Sequence, residues 1–339
     1  MPTLDLSEQV AAELVEFCWG QWTQMGVSGE VTRRDPWAAD PEALLLFSLP
    51  IARRDPRLFD EILDWLAMNG RLISAQRIKN LSRQDPEARR LAAASLAWAA
   101  DHNPALRPLA SESGGTEEGE REPLFRTSGG RPGTRKNDAG FLSWGFTRPP
   151  LEPSLKSRPP DLTAPVNMAF RLRLLLGVGA RSEVVRYLLV SDDSEVNTHQ
   201  VARAAGFAKR NVSETLVALA DAGVVNARWR ANERVFKTDP RRWLDLLHFA
   251  PHEMPVFVDW ICLFRALLEI ARWLESGAGK VRSEYVRASE ARGLIDRIGR
   301  DLLAAGVTVP DARAAMGPGY WPVFEGIVEA ALGRLRPAA

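Results

Sequence analysis

The chain has 339 residues, 45% of them apolar, a net charge of +1 and two cysteines. That composition supports two or three buried cores and excludes a polycation that coats nucleic acid by overall charge. Cys18 and Cys262 sit far apart in apolar helical patterns, so neither a disulfide framework nor a zinc ligand set is expected, and a reduced, cytoplasmic setting follows.

The opening residues, MPTLDLSEQV, have no basic flank or apolar core, so no secretory signal is expected. Residues 1–107 read as an N-terminal helical domain. Asp-Pro recurs at Asp35-Pro36, Asp40-Pro41, Asp55-Pro56 and Asp85-Pro86, and each pair suits an acidic N-cap followed by proline in the first turn. Leu58, Ile62, Trp65 and Leu66 form a core stripe that Asn69-Gly70 brings to an end. The stretch Arg71–Leu81 continues helically, with Arg71, Arg77 and Lys79 expected in solvent. DWLAMNGRLISAQRIKNL has the outline of helix, turn and helix. The alanine-rich helix PEARRLAAASLAWAA follows it where a recognition helix and hairpin would be needed, so a packing role is expected instead.

Across residues 108–164, Gly, Pro and Ser make up about forty per cent, a linker composition. Yet FLSWGF sets Phe141, Trp144 and Phe146 inside it, so the expectation is a tether docked by an aromatic clasp, with a partner-binding motif as the alternative. RPPLEPSLKSRPP favours polyproline conformation over helix. Helix resumes at Asn167–Leu176, breaks at Gly177 and Gly179, and returns at Ser182–Val190, where Val184, Val185, Leu188 and Leu189 form the packed side. SDDSEV reads as a loop.

Asn197–Lys237 carries the strongest pattern in the chain. Asn197 and Gln200 have capping-box spacing, Val201, Ala204 and Ala205 mark one helix face, and Gly206 stops that helix. Val212, Leu216, Leu219 and Ala220 mark a second helix, ended by Gly223, with Lys209, Arg210, Asn211, Ser213 and Glu214 on its front and outer side. Alternation then puts Val225, Ala227 and Trp229 on one face of a strand and Asn226, Arg228 and Arg230 on the other. The chain turns at Ala231-Asn232 and returns through Arg234 to Lys237. From Arg203 to Arg242 there are nine basic and four acidic residues, which leaves about −4 for the rest of the chain.

GFAKRNVSETLVALADAGVV followed by this hairpin resembles the winged helix-turn-helix of bacterial regulators of the MarR and ArsR type. The resemblance covers about a quarter of the chain. It implies a mainly α fold, in which a winged helix-turn-helix domain at 165–242 with a small β-hairpin is flanked by helical domains. It also implies that the helix from Ala208 to Ala222 enters the major groove of double-stranded DNA and the hairpin reaches the adjacent backbone or minor groove. The implied DNA-binding set is Gln200, Lys209, Arg210, Asn211 and Ser213 with Arg228, Arg230, Asn232, Arg234 and Lys237. One departure is Ala208, which stands where such sequences usually carry a serine or an acid. Two cations then occupy a helix start where the macrodipole disfavours them by roughly 0.3–1 kcal/mol each. An external polyanion would relieve that conflict.

Residues 243–339 read as a C-terminal helical domain. Asp239-Pro240 opens a helix through RRWLDLLHF, and Met254–Ser276 is apolar on most of its circumference, which predicts burial on several sides. Helices at about 283–305 and 322–335 could cover it, with the N-terminal domain or a second copy over the remainder. Because one recognition helix reads few base pairs, a homodimer is expected, and this helix is its expected seam. Gly277-Ala278-Gly279-Lys280 lacks the first glycine and the following Ser or Thr of a phosphate loop, and Gly177-Val178-Gly179 lacks the third glycine of a dinucleotide site. Pro251 interrupts the helical geometry that His248 and His252 would need as a metal pair. No nucleophile with a matching base can be named, so the expectation is a non-enzymatic, sequence-specific DNA-binding regulator without metal, cofactor or membrane span. Two alternatives put the function in the helical domains: an antitoxin-like protein that binds a partner and autoregulates through its winged helix, and a regulator that senses a ligand.

Overall fold

The computed structural model describes residues 5–31, 34–110, 121–126, 136–193, 195–276, 283–311 and 317–337. Among these residues the fold is mainly helical with two small sheets. No helix among the described residues is long and apolar enough to cross a membrane. The phosphate-loop-like Gly277–Lys280 and parts of the polar stretches between 111 and 135 lie outside the described residues.

Contacts divide the chain into two compact units, Met1–Cys18 with Val258–Ala339, and Trp19–Phe257. In the first unit, α12 (Trp260–Glu275) packs with α13 (Glu284–Ala304) and α14 (Tyr320–Gly333). The start of α1 (Leu6–Gln24) joins them, with Phe17 5.7 Å from the Trp260 ring and 5.8 Å from Phe264. Trp273 meets Phe324 edge-on at 5.3 Å. The apolar circumference of α12 is thus covered within one chain, so its burial does not require a second copy. The helix is also shorter than predicted: Asp259 caps it by accepting from the Cys262 N–H, and Met254–Asp259 are not helical.

In the second unit, α2 (Pro41–Ala52) is buried along its whole length. It is flanked by α3 (Pro56–Asn69), α4 (Ala75–Leu81) and α5 (Pro86–His102). Three Asp-Pro pairs act as expected, because Asp40, Asp55 and Asp85 accept from the first-turn N–H groups of α2, α3 and α5. Asp35-Pro36 starts no helix. Its carboxylate is buried and accepts from the Gln21 and Gln24 side-chain amides, a tertiary use of a dipeptide that elsewhere caps.

The linker-like stretch is pinned to this helical layer. Glu122-Pro123 (β1) pairs in parallel with Phe146-Thr147 (β2), and the short helix α6 (Ala139–Ser143) lies between them in sequence. Phe141 and Phe146 are fully buried, and the Phe59 ring lies 6.0 Å from Phe141 and 5.8 Å from Phe125. Arg53 ties the segment down, donating to the Leu124 carbonyl at 2.9 Å and to Glu122 at 2.7 Å. Farther on, the Asp64 carboxylate accepts three backbone N–H groups, from Leu155, Lys156 and Ser157, at 2.7–3.1 Å. Burial pushes this carboxyl up, but those donors hold it below the usual range.

The chain then runs through α7 (Met168–Leu176) and α8 (Ala180–Val190) to Val196-Asn197 (β3). After β3 come α9 (Thr198–Ala205), α10 (Lys209–Asp221), a hairpin of β4 (Asn226–Arg230) and β5 (Glu233–Lys237), and the short helix α11 (Arg241–Leu247). The three strands are ordered β3-β5-β4, all antiparallel. The predicted SDDSEV loop therefore ends in a strand. Val184, Val185, Leu188 and Leu189 of α8 are buried beneath α9 and α10 in one core with Val201, Val212, Leu216 and Phe236.

Candidate nucleic-acid interface

The interface is built outward from two helix boundaries. Asn197 accepts from the Gln200 N–H at 2.9 Å, and the Gln200 side chain accepts from the Asn197 N–H at 2.9 Å, a complete capping box that starts α9. Gln200 is half-buried and its amide oxygen is committed to that cap. At the far end, Gly206 takes φ 70°, where a side chain would be strained, and a Cβ there would meet the Leu81 side chain at 2.8 Å. The second helix begins directly after this turn.

Ala208, at the N-cap of α10, offers no side-chain acceptor, so the first-turn N–H groups of the helix have no partner from that position. Lys209, Arg210 and Asn211 are exposed there, and Ser213 is half-buried. Arg210 pairs with Glu214 one turn on at 2.9 Å, a solvent-exposed pair that contributes little and exchanges readily with an external anion.

On the hairpin, register decides which cations share a face. Arg228 lies opposite Val235, Arg230 opposite Glu233, and Asn226 opposite Lys237, so Arg228, Arg230 and Lys237 point to one side. Arg234 lies opposite Trp229 and points to the other side, with its guanidinium 5.5 Å from the centre of the Phe236 ring. Asn232 is exposed at the turn. The ten residues singled out in the sequence therefore fall into a helix-start group, a three-cation hairpin face, a turn residue, a cation on the reverse face and a capping glutamine.

Two acids temper the hairpin. Arg228 donates through Nε and Nη2 to the two oxygens of Glu195, at 2.5 and 2.7 Å, and this bond holds the Glu195 carboxyl below its ordinary range. Glu233 accepts from the Asn197 amide at 3.1 Å. Glu195 gives no signal in the sequence, because β3, which begins beside it and runs alongside the hairpin, has the composition of a loop. Trp229, expected on the packed face, is 71% exposed. It does lie on the predicted side of the strand, but no described residue covers that side so far out along the ribbon.

No family model, curated protein or solved structure matches this chain.

What fixes the interface in place is a buried ionic network that the sequence did not announce. Arg77, expected in solvent, is wholly buried. Its guanidinium grips both oxygens of Asp40, one of them at 2.6 Å, and reaches Glu42 at 2.9 Å. Glu42 is shared with Arg173 of α7 at 2.6 and 2.9 Å. Arg173 continues to Glu183 of α8 at 2.7 Å, Glu183 to Arg186 at 2.9 Å, and Arg186 back to Asp40 at 3.3 Å. Three acids and three arginines close a neutral ring joining α2, α4, α7 and α8. Burial pushes the Asp40 and Glu183 carboxyls up, but the neighbouring guanidiniums outweigh it and hold both below the usual carboxylate range.

The ring touches the turn directly. Arg77 Nε donates to the carbonyl of Ala205, the last residue of α9, at 2.7 Å, and the Asn80 amide donates to the Gly206 carbonyl at 3.1 Å. A cation and an amide thus satisfy carbonyls that the end of α9 leaves open, at the pole where the macrodipole favours positive charge. Among the described residues no three His, Cys, Asp or Glu side chains are grouped to hold a metal ion.

Proposed function

We propose that the chain binds double-stranded DNA through Asn197–Lys237 in the manner of a winged helix, and that it serves as a sequence-specific regulator. The observation that carries this reading is the start of α10, where an uncapped helix end bears exposed Lys209 and Arg210. In water that combination works against the helix, whereas a phosphate would satisfy the open N–H groups and the two cations together. The hairpin supports it with Arg230 and Lys237 exposed on one side. In this reading α10 enters the major groove, Asn211 and Ser213 face base edges, and the hairpin cations neutralise phosphates.

A single recognition helix reads few base pairs, so two copies on a two-fold site are expected, through a surface other than α12. The test is DNA affinity measured over a range of salt concentrations. Replacing Lys209 and Arg230 together by alanine should weaken binding and reduce the slope of log affinity against log salt by about 2, one for each phosphate no longer neutralised. An unchanged affinity and slope would sink the reading. Selection from a random DNA pool then yields the motif and its symmetry in one experiment.

A further inference from the structure

The hairpin extends beyond the strand beside it. Among the described residues, β3 pairs with β5 only at Val235 and Phe236, so the rungs Trp229–Arg234 and Arg230–Glu233 form a two-stranded ribbon with no third strand. The core under the sheet reaches the same limit, since Phe236 and Ala227 belong to it and Trp229 does not. The largest side chain on the hairpin is therefore held in water on a projecting ribbon.

Folding does not account for that choice. A tryptophan contributes to a core by burying its ring, and this ring buries little: it is 71% exposed. Arg234, directly across on the same face, directs its guanidinium over Phe236, and no described residue stacks on Trp229. Arg234 is the cation on its own face, and its sequence neighbours Arg228 and Arg230 are exposed on the opposite face of the same narrow ribbon. A flat aromatic surface on a ribbon that carries cations across from it and on its reverse side is complementary to a ligand that offers flat aromatic rings and anions together, which is the chemistry of a nucleic acid with an accessible base.

We propose that Trp229 stacks on a base that is not stacked within a regular duplex, so that the wing selects DNA with an unpaired base beside the site held by α10. This rests on the DNA-binding reading above and adds the kind of DNA. An unpaired base inside a duplex and a single-stranded end present the same aromatic face, and the experiment separates them.

The full chain is titrated with three probes of one sequence: a paired duplex, the same duplex with one unpaired central base, and the same duplex with a single-stranded extension. The unpaired base is 2-aminopurine, whose fluorescence falls on stacking. Wild type should bind at least one interrupted probe more tightly than the paired duplex and quench it. Trp229→Ala should abolish the quenching and weaken that binding by about tenfold, with paired-duplex binding unchanged, while Trp229→Phe retains most of both. The probe that shows the effect identifies the source of the base.

Equal behaviour of wild type and Trp229→Ala on all three probes overturns stacking and leaves the DNA reading intact. An equal loss on all three also overturns it, because the ring would then pack against ordinary duplex. If wild type binds no probe, the DNA reading fails and this one with it. A loss confined to phosphatidylserine vesicles would assign Trp229 to a membrane surface and likewise overturn the proposal.

Discussion

Arg77→Met tests whether the ionic ring carries the fold of the larger unit. Methionine keeps most of the length and apolar character of the side chain but removes the charge. It leaves Asp40, Glu42 and Glu183 facing only Arg173 and Arg186, and frees the Ala205 carbonyl that Arg77 bonds at 2.7 Å. A buried charge left without its partner costs about 3–5 kcal/mol, far more than the loss of a surface pair. For a unit of this size that corresponds to a fall of about 10 °C in unfolding temperature. Urea unfolding followed by tryptophan fluorescence is suited to the measurement, since Trp22 and Trp65 lie buried in the same unit. The pH dependence has a definite sign. In wild type the Asp40 and Glu183 carboxyls are depressed, so their stabilisation is complete above the unfolded carboxylate range and is lost as pH falls through the folded values. In the variant, burial acts on Asp40 without Arg77 to oppose it, so protonation relieves the repulsion, and the gap between the two proteins narrows towards about pH 4. Asp40→Asn in the Arg77→Met background removes the surplus charge and should recover part of the loss. A loss below about 1 kcal/mol, or no recovery in the double variant, would refute the argument that the ring is a strong mutual constraint.

Two smaller perturbations probe other parts. Asp64→Asn replaces an acceptor of three backbone N–H groups by an amide that both accepts and donates, and should lower stability by about 2 kcal/mol in urea and speed proteolysis at 154–158. Because the Asp64 carboxyl is depressed, that difference should be present at neutral pH and shrink as pH falls below about 4. Glu195→Gln releases Arg228 from its carboxylate and should tighten DNA binding and steepen its salt dependence by about one phosphate; an unchanged slope would mean that Arg228 does not reach the backbone.

Features specified by neighbours in sequence were legible, and features specified across the fold were not. The caps at Asp40, Asp55 and Asp85, the Asn197–Gln200 box and the stop at Gly206 each depend on a few consecutive residues, and each is found. Asp35-Pro36 has the same local form and a different fate, because two glutamines of α1 claim its carboxylate. Arg77 occupies a polar position on a short helix, for which solvent is the ordinary destination. Its burial depends on Asp40 and Glu42, more than thirty residues earlier, and on Arg173 and Glu183 more than ninety residues later. Periodicity identified the apolar side of α8 but not that Glu183 and Arg186 on the same helix are also buried, since only the ring explains it. For Trp229, alternation gave the correct face, and the missing quantity was the length of the strand beside it.

The ring also bears on how DNA binding could be controlled. Arg77 and Asn80 hold the two carbonyls of the Ala205–Gly206 turn, and Leu81 fills the space where a side chain on Gly206 would lie. The start of α10 follows within three residues, so its position depends on α4 and, through Arg77, on α2, α7 and α8. Moving α4 away from the turn would expose or unpair several buried charges, at a cost of several kcal/mol. Couplings between regulatory sites typically amount to about 1–3 kcal/mol, too little to open such a ring. The N-terminal helices therefore act as a fixed mount for α10. Within the DNA-binding reading, regulation falls to elements outside the ring, and the hairpin is the first to consider, where Glu195 already competes for Arg228, a group that would meet DNA.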